Sequence, residues 1–144
     1  MVKEFVRILA IDFGNARIGL AVNDALGITA QGVGSINRTT IEKDIEVIKR
    51  TISSHHIKEI VVGMPYLLDG TKGKQAKRVE DFISELKKHI QLPIKEWDER
   101  YTTVRAEEIL SEADVHWKKR KAIIDMLAAT YILETYMEHL QSKK

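Results

Sequence analysis

The chain has 144 residues, of which 44% are hydrophobic and 31% charged. This is the length and composition of one compact domain, so residues 1–144 are expected to fold as a single unit. No apolar run approaches the roughly 20 residues that cross a bilayer, which argues against a membrane span. The absence of cysteine and the net charge of +2 exclude disulfides and thiolate metal sites and leave the partner open. The acids Glu4 and Asp12 argue against a secretory signal, so we expect a cytoplasmic protein.

The first part of the chain predicts three strands. Residues 6–11 are β-branched and mostly apolar, and Asp12 follows them directly. The turn-prone residues 13–16 then lead into a second apolar run, residues 18–22. Together these runs predict a β-hairpin. Residues 28–36 predict a third strand, which two glycines interrupt.

The middle of the chain predicts an amphipathic helix and a buried strand. Thr39, with Glu42 three residues later, fits a capping box at the start of a helix. Isoleucines recur there at helical spacing and predict a helix that ends near His55. Residues 59–64 form a short apolar run closed by Pro65, which predicts a buried strand.

The second half begins with a glycine-containing loop, residues 66–74, which we interpret as a mobile loop that contacts the substrate. Apolar residues at helical spacing predict a helix from about Lys74 onward. Pro93 then precedes a short strand, residues 94–97, which ends just before Glu99.

Two more helices complete the chain, one capped by Thr102 or Thr103 and the longest over residues 119–141. The order of elements predicts an α/β protein with a mixed five-stranded sheet. Its first three strands are antiparallel, the later ones are parallel, and helices cover both faces. This is the order of the ribonuclease H-like fold.

Three acids, Asp12, Glu99 and Asp125, fall where an apolar segment ends or a buried helical stripe begins. The carboxyl ends of parallel strands form the ligand crevice of such sheets, which predicts that Asp12 and Glu99 share one edge. On the last helix, four apolar residues lie within about 60° of Asp125 and should aim it at the sheet. They are Ala128, Ala129, Ile132 and Tyr136.

Each acid also has an ordinary structural interpretation. Asp12 could serve as a turn former, Glu99 could pair with Arg100, and Asp125 could be a favourable charge in the first turn of a helix. None of these interpretations explains why all three fall at the same predicted edge. Without cysteine or patterned histidine, a carboxylate site selects hard cations, so we expect Mg²⁺ or Mn²⁺. Two such ions can drive phosphodiester cleavage, which is nuclease chemistry.

Basic residues near these acids suggest a nucleic-acid partner, with a solvated surface as the alternative. Tyr66 and Trp97 could stack on unpaired bases, although we expect a surface role for Tyr66 and a core role for Trp97. The candidate phosphate contacts are Arg17, Lys72, Lys74, Arg100, Arg105 and the unbroken run Lys118, Lys119, Arg120 and Lys121.

Four segments, IDFGNARIGLAV, VVGMPYLLDG, DERYTT and IIDMLAATYILETY, resemble in order and spacing the motif blocks of the YqgF family. The names of this family describe pre-16S ribosomal RNA nucleases and Holliday junction resolvase-like proteins. The resemblance implies a ribonuclease H-like fold and 5′-end processing of precursor 16S rRNA in ribosome biogenesis, with Asp12, Glu99 and Asp125 as catalytic acids. It also implies supporting roles for Gly14, Arg17, Arg100, Thr102 and Thr103.

Other functions stay open at this stage. Many nucleases of this superfamily carry a fourth acid, and Ala128 occupies the obvious place for it, which leaves a nucleic-acid-binding module with weak catalysis as an alternative. Resolution of DNA junctions in recombination or repair is another, and two symmetric cuts would require a homodimer where the first function could use a monomer. A kinase-like phosphate-binding protein is disfavoured, since 144 residues cannot build its two domains.

Overall fold

The computed structural model describes residues 6–98 and 117–142, and for residues 117–122 it describes the backbone alone. The predicted helix that follows Thr102 and Thr103 lies outside these ranges. The described elements are β1 (Ile8–Phe13), β2 (Arg17–Asn23), β3 (Ala30–Asn37), α1 (Ile41–His55), β4 (Glu59–Met64), α2 (Lys74–His89), β5 (Ile94–Asp98) and α3 (Trp117–Ser142).

The five strands form one mixed sheet in the order β3-β2-β1-β4-β5. β1 pairs antiparallel with β2, and β2 pairs antiparallel with β3. On its other side β1 pairs parallel with β4, which in turn pairs parallel with β5. The predicted mixed sheet, antiparallel first and parallel later, is therefore confirmed.

Each face of the sheet has its own hydrophobic core. Leu9, Ile11 and Phe13 of β1 point to one face, where they pack with apolar residues of α1 and α2. Ile8 and Ala10 point to the other face, where α3 covers the sheet. Strand residues alternate between the two faces, so the even-numbered positions of β1 belong to the α3 face. The helices therefore cover both faces, as predicted.

The start of α1 differs from the predicted capping box of Thr39 and Glu42. Thr40 is the N-cap, and its hydroxyl accepts a hydrogen bond from the Lys43 amide. Thr39 lies one residue too early and instead uses both its amide and its hydroxyl to donate to the Asp44 carboxylate. Each of the two threonines has a hydroxyl that could cap the helix. Because Thr39 is bonded to the buried Asp44, Thr40 is the N-cap.

The long helix α3 packs on the sheet along the stripe predicted from the sequence. Ala128, Ala129, Ile132 and Tyr136 are all buried. Trp97 of β5 packs against this helix, and its indole N–H donates to the Thr135 hydroxyl at 2.8 Å, which confirms its core role. No helix within the described residues is long and apolar enough to cross a membrane.

Candidate functional site

Asp12 lies near the carboxyl end of β1, on the sheet face that α3 covers. Antiparallel pairing places it directly opposite Gly19 of β2. Its alternation with Ile8 and Ala10, both in the α3-side core, assigns its side chain to that face. The predicted position of Asp12 at a strand end is therefore confirmed.

The helix turn that carries Asp125 lies on Gly19. A Cβ atom built on this glycine would stand 1.9 Å from the Asp125 carbonyl oxygen, a distance that no real side chain tolerates. On β3, a Cβ on Gly32 would similarly lie 2.4 Å from the Met126 side chain. Gly19 thus admits the helix backbone to the sheet, and Gly32 leaves room for the Met126 side chain. Since Gly19 is the cross-strand neighbour of Asp12, the helix brings Asp125 to the part of the sheet that holds Asp12.

Arg17, the first residue of β2, forms an ion pair with Asp125. Its Nε donates to Oδ2 of the carboxylate at 2.5 Å, across 108 residues of sequence. Burial raises the pKa of the Asp125 carboxyl above its ordinary value, although the hydrogen bond and charge of Arg17 act in the opposite direction. The effect of desolvation on this pKa is therefore larger than the opposite effect of Arg17.

Gly14 fixes the turn that presents Arg17. Its amide donates to the Arg17 carbonyl at 2.9 Å and closes the β1–β2 hairpin. A Cβ on Gly14 would lie 2.7 Å from that same carbonyl oxygen, so this close approach requires glycine. This turn links Asp12 to Arg17, and the supporting role of Gly14 in function stays a prediction.

The third predicted acid, Glu99, lies outside the described residues. β5 ends at Asp98, which pairs with Met64 at the carboxyl end of β4. Arg100, Thr102, Thr103 and Arg105 also fall outside, and so do the side chains of Lys118, Lys119, Arg120 and Lys121. Among the residues that the structure does describe, no group of three His, Asp or Glu side chains could hold a metal ion.

The loop after β4 has a defined conformation. The Leu67 amide donates to the Thr71 carbonyl, and the Asp69 carboxylate accepts from both the amide and the hydroxyl of Thr71. Tyr66 is partly buried and packs against the core on the α1 and α2 side, so only the exposed part of its side chain fits the surface role predicted for it. The apolar ring lies against the core because the chain turns back at this residue, where its amide bonds to the Met64 carbonyl.

Two predicted phosphate contacts, Lys72 and Lys74, lie at the end of this loop. The Lys72 ammonium forms an ion pair with Glu80 of α2 at 2.7 Å, and Lys74 is exposed in the first turn of α2. Both lysines follow the carboxyl end of β4, which is the end of the sheet where Asp12 lies. An ammonium group has three donors, so Lys72 keeps hydrogen-bonding capacity beside its ion pair.

Two carboxylates at the carboxyl edge of a mixed sheet suit a hard divalent cation, because oxygen donors are the ligands that Mg²⁺ and Mn²⁺ prefer. Ala128 is buried one turn after Asp125, so the chain supplies no fourth acid at that position. The described donor set is smaller than the predicted one because Glu99 lies outside the described residues.

Solved structures share this architecture. RuvC of Thermus thermophilus in complex with a Holliday junction substrate aligns with a TM-score of 0.56 at 9% identity, over 94% of this chain and 96% of that one. The Fowlpox virus resolvase bound to Holliday junction DNA aligns with a TM-score of 0.58 at 9% identity, over 94% and 99%. The fold is therefore ribonuclease H-like, as the order of elements predicted.

Sequence relatives define the family. A profile of the RuvX family, described as "Holliday junction resolvase", matches residues 6–139. A "Putative pre-16S rRNA nuclease" of Halothermothrix orenii is 49% identical over 134 residues, covering 93% of this chain and 96% of the relative. A protein of the same name from Desulforamulus reducens is 47% identical over 133 residues, covering 92% and 97%. The chain belongs to the RuvX family, also called YqgF, as the resemblance of its motifs predicted.

Two features of the site escaped the sequence analysis. The close contact of α3 with Gly19 and Gly32 was not predicted, although a glycine inside a strand is a known sign of close approach by another element. The ion pair between Arg17 and Asp125 leaves no sequence signal, because the two residues are far apart in the chain and meet only once the helix is seated.

Proposed function

We propose that this chain is a divalent-metal-dependent endonuclease that hydrolyses phosphodiester bonds in structured nucleic acid. We further propose that it processes the 5′ end of precursor 16S rRNA in the cytoplasm. One observation carries the proposal: the helix turn of Asp125 lies on Gly19, the residue paired with Asp12. The names of the relatives, which specify pre-16S rRNA, support the choice of substrate.

Asp12 and Asp125 would hold the cation, with Glu99 as the third predicted ligand. When bound, Mg²⁺ or Mn²⁺ would supply a Lewis acid that activates water and stabilises the leaving oxygen. The chain itself contributes the placement of the carboxylates. β1 fixes Asp12 within the sheet, and the apolar stripe of α3 holds Asp125 against it. Rigid elements of this kind position ligands better than loops do.

Basic side chains around this edge would bind the phosphates of the substrate. Lys72 and Lys74 follow β4 at the carboxyl end of the sheet, and α3 carries the basic run at residues 118–121 in its first turns. Arg17, Arg100 and Arg105 are the remaining candidates from the sequence. Phosphate contacts of this kind give affinity without base specificity and weaken as salt rises.

A cleavage assay on precursor 16S rRNA with Mg²⁺ and with Mn²⁺ tests the proposal. We expect Asp12→Asn and Asp125→Asn each to lower the cleavage rate by on the order of 100-fold, since each removes a charged metal ligand. Asp81→Asn, which changes an exposed carboxylate of α2 on the other face, is the matched control and should cut like the parent. If both site variants cut as fast as the parent, the metal-site hypothesis fails.

Resolution of DNA junctions is the second candidate. It is favoured by the description of the family and by the resolvases that share the fold. Two symmetric cuts would need a homodimer with two sites, whereas rRNA processing could use a monomer. A four-way DNA junction assayed in parallel with the RNA decides between them, because faster cutting of the junction would replace the rRNA proposal. Binding of both substrates without any metal-dependent cutting would instead identify a binding module.

A further inference from the structure

The ion pair between Arg17 and Asp125 occupies the site that the proposed function assigns to a metal. Nε of Arg17 lies 2.5 Å from Oδ2 of Asp125, so a guanidinium engages one of the two oxygens that a cation would need. Mg²⁺ binds carboxylate oxygens at about 2.0–2.1 Å. A divalent cation that close to Oδ2 would lie within a few ångströms of the guanidinium, and the two positive charges would repel each other strongly in this half-buried setting.

The surroundings of the pair allow Arg17 to be displaced from Asp125 more easily than an arginine in a fully buried ion pair. Within the described residues, the Asp125 carboxylate receives one hydrogen bond, the one from Arg17. The exposed fractions of the two side chains are 23% for Arg17 and 20% for Asp125, so water and ions reach both partners.

We propose that Arg17 is a displaceable counter-ion of Asp125. In the absence of a cation it neutralises the carboxylate, and it leaves when a divalent cation binds, so Arg17 sets the metal affinity of the site. Arg17 is thus a positioning residue that acts through Asp125. This inference rests on the proposed metal site.

The chain contains a matched control for this inference. Arg38 pairs with Asp44 through the same two atom types, Nε and Oδ2, at 3.0 Å. Asp44 belongs to α1, which packs on the face of the sheet opposite α3. Loss of Arg38 should therefore disturb an ion pair without changing metal binding.

Calorimetric titration with Mn²⁺ tests the proposal on the parent, Arg17→Met, Arg17→Lys and Arg38→Met. We expect Arg17→Met to bind Mn²⁺ on the order of tenfold more tightly, because the competing cation is gone. Arg17→Lys, which keeps the charge, and Arg38→Met should stay near the parent. Equal or weaker binding by Arg17→Met, with the parent still binding, would overturn the role of Arg17. Parent binding that survives in Asp12→Asn and Asp125→Asn would instead overturn the metal site itself.

A second measurement needs no destabilising variant. In the parent, the Nε–H resonance of Arg17, assigned by its disappearance in Arg17→Lys, should shift and exchange faster with water as Mg²⁺ is added. The Arg38 Nε–H resonance should not move. An Arg17 resonance that is unchanged when Mg²⁺ saturates the site would show that the pair stays intact, and would sink the proposal.

Discussion

The molecule contains two arginine–aspartate ion pairs on opposite faces of the sheet, and they differ in how completely the aspartate is satisfied. Asp44 is 1% exposed and accepts hydrogen bonds from Arg38 and from both the amide and the hydroxyl of Thr39. Asp125 is half-buried, and the bond that the described residues provide comes from Arg17.

Among the described residues, the Arg38 guanidinium also has more partners than the Arg17 guanidinium. The Arg38 guanidinium lies 4.4 Å from the centre of the Phe13 ring and also donates to the Gly14 carbonyl. For the Arg17 guanidinium, the described residues show one bond, to Asp125. A buried charge with several donors is held in place, whereas a partly exposed charge with one donor among the described residues exchanges that partner more easily. The comparison therefore distinguishes a structural pair from a pair at a functional site.

The largest expected effect comes from breaking the structural pair. Asp44→Ala removes a buried carboxylate and leaves Arg38 and Thr39 without their shared acceptor, which should cost about 3 kcal/mol of unfolding free energy. Denaturant unfolding measures this cost, with Asp81→Ala at an exposed site as the control. The cleavage rate per folded molecule should stay near that of the parent, and a large loss of rate with unchanged stability would contradict the structural role.

A second prediction concerns the close contact between α3 and the sheet that places Asp125 beside Arg17. Gly19→Ala places a methyl group against the Asp125 carbonyl, so α3 must move away from the sheet. We expect a loss of about 2 kcal/mol of unfolding free energy together with most of the cleavage activity. Ser35→Ala, at the residue paired with Gly19 on β3, is the control for thermal melting and for cleavage. Full activity in Gly19→Ala would mean that the close approach is not needed to place Asp125.

The sequence predicted the placement of Asp12 and Asp125 because both depend on local patterns. A short apolar, β-branched run assigns Asp12 to the end of β1, and a helical stripe of alanines and Ile132 turns Asp125 toward the sheet. Such patterns can be detected in a single sequence because residue order determines which residues share a face of a strand or helix.

Other features depend on contacts that no local pattern records. Thr39 and Thr40 are equivalent as capping residues, and only the burial of Asp44 makes Thr40 the N-cap. In the same way, the sequence predicts that Arg17 contacts phosphate, and only the packing of α3 on the sheet reveals its ion pair with Asp125. Tertiary packing decides such cases, since it determines which of several suitable partners a polar group meets.

The smallest expected effect is on stability at the functional pair. Burial raises the pKa of Asp125 above its ordinary value of 3.8, so the protonated form is favoured by folding. A carboxyl of this kind stabilises the fold fully below its unfolded pKa, and that contribution is lost as the pH rises through the folded pKa. At neutral pH the ionised carboxylate is therefore a net cost, which Asp125→Asn removes along with cleavage. In EDTA, the melting temperature of Asp125→Asn minus that of the parent should increase between pH 4 and pH 7, as measured by scanning calorimetry. A difference that shrinks over this range would contradict this prediction and would mean that the bond from Arg17 outweighs desolvation.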